Sequence, residues 1–100
     1  MPSEKLQAVI AQVQAKTEFA ETVRRECLAL VKPSRAEKGC LSYDLYQSAA
    51  DSTLFIFYEK WESREDLERH LESPHAIAFD EKTSEMLAEP EQIIYLERLG

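Results

Sequence analysis

The sequence predicts an α+β domain of the ferredoxin-like class, ordered β-α-β-β-α-β, with a four-stranded antiparallel sheet and helices on one of its faces. Three observations lead to it. Runs that are rich in β-branched residues or alternate with period two fall at residues 6–15, 40–48, 53–61 and 91–99. Apolar residues recurring every three or four positions fill the two long gaps between these runs. The chain has 100 residues, so 1–100 reads as one domain, and its 44% hydrophobic and 31% charged residues make an ordinary globular balance.

Residues 6–15, Leu-Gln-Ala-Val-Ile-Ala-Gln-Val-Gln-Ala, form the first predicted strand. Thr17 stands where a helix N-cap belongs, and Glu18 and Glu21 follow in the first turn, where acidic groups suit the helix dipole. Phe19, Val23, Cys27, Leu30 and Val31 recur at helical spacing. Pro33 lies near the end of that pattern and predicts a kink or the end of the regular helix. Gly39 fits a helix C-cap or the turn into the next strand. Within 40–48, Leu41, Tyr43 and Leu45 share one side and Ser42 and Asp44 the other. Ala49-Ala50-Asp51-Ser52 is a short turn into 53–61, so the two runs read as a hairpin. Ser63 caps the next helix, with Asp66 in a weaker form of the capping box. Leu67, His70 and Leu71 share its inner face. Ser73-Pro74 breaks this helix and starts another, whose inner face is Ala76, Phe79, Thr83, Met86 and Leu87. Pro90 ends it, and Ile93-Ile94-Tyr95-Leu96 marks the last strand.

A lone domain of this class turns one sheet face to helices and the other to water. The third strand does not read that way. Leu54, Ile56 and Tyr58 point to one face; Phe55, Phe57 and Trp61 point to the other. The first and last strands put Val9, Val13, Ile10, Ile93, Tyr95, Ile94 and Leu96 on both faces as well. That much apolar surface on an open face predicts a homodimer packed sheet against sheet.

Lys plus Arg number 12 and Asp plus Glu 19, a net charge of −7. A pI near 4.8 argues against nucleic acid or an anionic membrane surface as a partner. Two glycines cannot build a Gly-rich phosphate loop. No apolar stretch approaches the ~20 residues that span a bilayer. Met1-Pro2-Ser3-Glu4-Lys5 lacks the pattern of a signal peptide. Two cysteines, Cys27 and Cys40, are too few for a disulfide scaffold and read as buried small hydrophobes. A reducing, cytoplasmic setting is the expectation.

No Ser/His/Asp order, CxxC or HExxH stands out. The only histidines, His70 and His75, would lie about 140° apart around one helix, with Pro74 between them, so a paired metal site is not expected. His70, beside Leu67 and Leu71, reads either as a half-buried histidine at the helix–sheet boundary or as a general base facing a pocket. His75, at a helix start, either caps and packs or stands at a pocket rim. Glu59 and Trp61 are two apart on one strand and share a face. A carboxylate on so apolar a face must be paired, hydrogen-bonded or raised in pKa. Tyr43, Tyr58, Phe55, Phe57 and Phe79 suit a core, or the walls around a flat aromatic ligand. The acidic residues from Glu62 to Glu72 read as a solvated helix face.

Ser34-Arg35-Ala36-Glu37-Lys38-Gly39-Cys40-Leu41-Ser42-Tyr43-Asp44 resembles the helix-to-strand junction of the antibiotic biosynthesis monooxygenase domain family. Tyr58-Glu59-Lys60-Trp61-Glu62-Ser63, then Leu67, His70-Leu71 and Ser73-Pro74-His75, resembles its second block, with a look closest to the quinol monooxygenase branch. The resemblance implies a dimeric α+β barrel of two ferredoxin-like subunits. Its relatives include cofactor-free monooxygenases of aromatic polyketides or quinols, haem-degrading enzymes and an isomerase of a phosphorylated sugar. Haem-degrading relatives carry a Trp on the first helical piece and an iron-ligating His about ten residues on; here those positions hold His70 and Asp80, and aspartate is a poor haem ligand. The resemblance therefore implies oxidation of a small aromatic or quinol substrate by O2, with no metal, flavin or haem. His70 is then the base, Glu59 its orienting or relay partner, Trp61, Tyr43, Phe57 and Phe79 the walls, and His75 the rim. The alternatives are an isomerase or other small-molecule enzyme using His70 and Glu59 as acid and base, or a ligand-binding dimer without turnover.

Overall fold

The computed structural model describes residues 6–100; Met1–Lys5, on which the signal-peptide reading fell, lie outside them. Its strands are β1 (Gln7–Gln14), β2 (Cys40–Gln47), β3 (Leu54–Trp61) and β4 (Gln92–Leu96). Its helices are α1 (Ala20–Arg35), α2 (Arg64–Leu71) and α3 (Pro74–Thr83). The strands form one antiparallel sheet in the order β2-β3-β1-β4. This is the predicted ferredoxin-like arrangement, with the second helical element split at Ser73-Pro74. Among the described residues, no helix is long and apolar enough to cross a membrane.

Strand alternation decides what lies beneath the helices. Val9, Ala11 and Val13 stand opposite Glu59, Phe57 and Phe55, and all six are buried. The pairing of small Ala11 with large Phe57 leaves room above the sheet for side chains from the helices. α1 lays Val23, Cys27 and Leu30 onto this face, and Leu67 and Phe79 bring α2 and α3 into the same core. The opposite face carries Ile10, Leu54, Ile56, Tyr58, Tyr46, Ile94 and Leu96, which the register brings side by side. Tyr46, Ile94 and Leu96 are 57%, 40% and 39% exposed in the single chain, as the two-faced third strand foretold.

Several local expectations are corrected. Thr17 makes no cap: the chain enters α1 through a 3-10 turn at Thr17–Phe19, in which the Phe19 N–H donates to the Lys16 carbonyl at 2.9 Å. Pro33 does not end α1, which runs on to Arg35, since one missing N–H near a helix end removes a single backbone bond. A bulge at Cys40/Ser42 takes Leu41 out of the ladder and leaves it exposed rather than beside Tyr43. Cys40 is half-buried, whereas Cys27 is buried and its thiol is pushed up to about 12 by burial. α3 stops at Thr83, well before Pro90; a 3-10 turn at Ser84–Met86 follows, and Leu87 bridges to Ala15. Ser63 does cap α2: its hydroxyl accepts from the Asp66 N–H at 3.1 Å and donates to the Asp66 carboxylate at 2.9 Å.

Candidate active site

The inner row of β3 carries Phe57, Glu59 and Trp61 under the helices. Period two forces them onto one face, and the adjacent strand β2 sets Tyr43 opposite Glu59. α2 lowers His70 onto this row. The His70 ring stacks on Trp61, with centroids 4.7 Å apart and 30° between planes, and meets Tyr43 edge-on at 5.4 Å. The Trp61 indole N–H donates to Glu59 Oε1 at 3.0 Å. Glu59 is 4% exposed, and burial pushes its carboxyl above the usual range against the opposing effects of the Trp61 hydrogen bond and the His70 ring.

The other side of His70 meets a residue that the pattern of the sequence did not single out. Glu37 lies in the turn after α1, and its Oε2 sits 2.7 Å from His70 Nδ1 and 2.6 Å from His75 Nε2. A carboxylate only accepts, so both imidazoles donate to it. That hydrogen bond assigns the His70 proton to Nδ1 in the neutral ring and leaves Nε2 as the acceptor, 3.9 Å from Glu59 Oε1. The two histidine rings are 6.0 Å apart. The Ser73-Pro74 break, which stands between them in the sequence, redirects the chain so that the last turn of α2 and the first turn of α3 meet at Glu37.

A cavity of about 120 Å³ opens beneath α2 and α3. Of the residues singled out in the sequence, His70, Glu59, Tyr43, Phe57 and Phe79 are on its wall. Trp61 is not: it is fully buried behind His70, stacked on that ring and hydrogen-bonded to Glu59. His75 is not on the wall either, but on the far side of Glu37 with its side chain 26% exposed. The cavity also holds Asp80 and Glu91, which sequence reasoning missed as a pair. Asp80 is exposed and Glu91 half-buried; Glu91 is pushed up to about 7, chiefly by burial and then by the charges of Asp80 and Glu59, and partial desolvation raises Asp80 too. None of the residues lining the cavity is Lys or Arg.

A family profile described as antibiotic biosynthesis monooxygenase matches residues 7–82. An uncharacterized protein of Synechocystis is 32% identical over 85 residues, 85% of this chain, and the chain spans 58% of that protein's length. The Mycobacterium tuberculosis protein named "Putative monooxygenase Rv0793" is 37% identical over 89 residues, covering 89% of this chain and 87% of that one. Its solved structure superposes with a TM-score of 0.90, covering 96% of this chain and 97% of that one. The Pseudomonas aeruginosa protein PA3566 is 41% identical with a TM-score of 0.89, covering 100% of this chain and 99% of that one. A Klebsiella pneumoniae protein named as an isomerase of (4S)-4-hydroxy-5-phosphonooxypentane-2,3-dione is 36% identical over 56 residues, 56% of this chain and 57% of that one.

Proposed function

The chain belongs to the antibiotic biosynthesis monooxygenase family, and on that premise we propose that it oxidises a small neutral phenol or quinol with O2, without a cofactor. One observation carries the reading: an imidazole whose Nδ1 is tied to Glu37 offers a free Nε2 beside a buried carboxyl, both on the wall of an aromatic cavity. His70 takes the substrate hydroxyl proton at Nε2. The resulting phenolate is electron-rich enough to pass an electron to O2, and the two radicals join at the ring. Glu59, whose carboxyl burial pushes above the usual range, stands beside His70 and, in its protonated form, donates to the oxygen that becomes negative. Loss of water completes the change. For a hydroquinone the sum is hydroquinone plus O2 giving hydroxyquinone plus one water, so one oxygen atom ends on the ring and the other in water.

Size and charge narrow the substrate. A cavity of roughly 150 Å³ holds a benzene ring, so one of about 120 Å³ sets a single small ring as the upper limit and excludes two fused rings. A lining with Glu59, Asp80 and Glu91 and no Lys or Arg favours a neutral ligand and opposes a phosphorylated one. This weighs against carrying the Klebsiella activity over to this chain, although His70 and Glu59 would serve an isomerase as acid and base. Oxygen uptake tests the choice. A monocyclic hydroquinone should be consumed faster than menadiol, whereas product formed equally well without O2 would favour the isomerase.

The same proposal includes a second copy of the chain. The apolar open face of the sheet, with Tyr46, Ile94 and Leu96, supports a homodimer packed face to face.

A further inference from the structure

We propose that Glu37, His70 and His75 bind a divalent cation of the Zn²⁺ class, at a site beside the cavity rather than in it. Three donor atoms, Glu37 Oε2, His70 Nδ1 and His75 Nε2, lie within 4.8 Å of one another. Two imidazole nitrogens and one carboxylate oxygen suit borderline ions such as Zn²⁺ or Co²⁺, and not Mg²⁺ or Ca²⁺, which take oxygen ligands. Each donor comes from a different element: the turn after α1, the last turn of α2 and the first turn of α3. One ion would therefore clip together three pieces that otherwise meet through core packing and hydrogen bonds.

The distances permit it. Contacts of 2.7 and 2.6 Å to Glu37 are hydrogen-bond lengths. Around a tetrahedral Zn²⁺, with bonds of about 2.0–2.1 Å, neighbouring donors stand roughly 3.3 Å apart. Each Glu37 contact must open by about 0.6 Å, within reach of a rotation of that side chain, and the two histidine nitrogens, within 4.8 Å of each other, must close to about 3.3 Å, which a turn of the partly exposed His75 side chain supplies. His75, a quarter exposed, is the way in, while His70 at the back is buried and held by Trp61. Three protein ligands leave a fourth position for water.

The consequence for chemistry rests on the proposed function. An ion on His70 Nδ1 displaces the proton there, and the neutral ring then carries it on Nε2. The nitrogen facing Glu59 changes from acceptor to donor, and His70 can no longer take a substrate proton. The ion is thus an inhibitor, not a participant in the reaction.

The test uses the chelator-treated full chain and Co²⁺ as the probe, read by visible d–d absorption, with Zn²⁺ displacing it in calorimetry. The expected result is one ion per chain, with affinity at least about tenfold weaker in both Glu37→Gln and His75→Ala. Thermal melts confirm that each variant is folded, and a His75→Ala that folds is sufficient if Glu37→Gln does not. Absence of Co²⁺ absorption in the wild type at millimolar ion overturns the site. So does unchanged affinity in His75→Ala, because the ion then sits elsewhere. Zn²⁺ should also lower the oxidation rate in step with occupancy. Binding at these residues without inhibition would leave the site standing and remove His70 as the base.

Discussion

His70 is held from three directions: Trp61 stacks on its ring, Tyr43 meets it edge-on and Glu37 accepts a hydrogen bond from its Nδ1–H. With the ring fixed so, Nε2 has one orientation, towards Glu59 and the cavity. Glu37 is a positioning residue in this scheme, acting only through His70. A Glu37→Gln change lets the amide donate as well as accept, so His70 no longer has a single preferred tautomer. The expected outcome is a fall in kcat of about tenfold or more with KM little changed, and partial recovery in Glu37→Asp. Steady-state kinetics on a monocyclic hydroquinone would check it, and a rise in KM alone would assign Glu37 to substrate binding instead. At this scale the sequence was legible where a period exists. Strand alternation put Glu59 beside Trp61, and helical spacing put His70 inward with Leu67. Glu37 sits in a turn, where no period marks which way a side chain points.

The elements place these residues by way of their irregular ends. Gly39 takes φ +84 in the turn before β2, and a Cβ there would overlap the Asp66 side chain. That close approach brings the turn bearing Glu37 against the start of α2, whose Ser63 cap and Asp66–Arg69 ion pair at 2.7 Å fix it in turn. The sequence marked Gly39 and the break at Ser73-Pro74 as structural punctuation. It did not show that the break joins the histidines, because turn geometry and not helical azimuth decides where they meet. The segment before β4 was the least legible part, since α3 ends early and Glu91 folds back towards Asp80. Glu91 carries a pH signature. Its folded pKa, about 7, lies above the carboxylate's ordinary value of 4.5, so the proton bound in the native state supports folding at low pH. That support is fully present below pH 4.5 and is lost as pH rises through about 7. A Glu91→Gln variant, neutral throughout, should therefore melt close to the wild type at pH 5 and above it at pH 8. A constant gap in Tm across that range would mean that Glu91 titrates normally in the folded protein.

At the scale of the whole molecule, the sheet has two apolar faces and one layer of helices. The helices cover Val9, Phe55 and Phe57, whereas among the described residues Ile94, Leu96 and Tyr46 on the other face stay exposed. The sequence revealed this through β3, where Leu54, Ile56 and Tyr58 alternate with Phe55, Phe57 and Trp61. Sedimentation at micromolar concentration should give a dimer, and Ile94→Lys should shift it to monomer, since a charge on that face costs its desolvation. A stable monomer of the unaltered chain at that concentration would contradict the proposal. The charge of −7 restricts polyanionic partners, while the carboxyls around the cavity restrict anionic ligands for the same electrostatic reason. The central claim, cofactor-free oxygenation with His70 as base, meets its most direct test in chelator-treated protein given a monocyclic hydroquinone under ¹⁸O2. The account predicts one ¹⁸O atom in the hydroxyquinone and one in water, at a rate at least about tenfold lower in His70→Ala. Product without ¹⁸O, or an undiminished rate in His70→Ala, would contradict it.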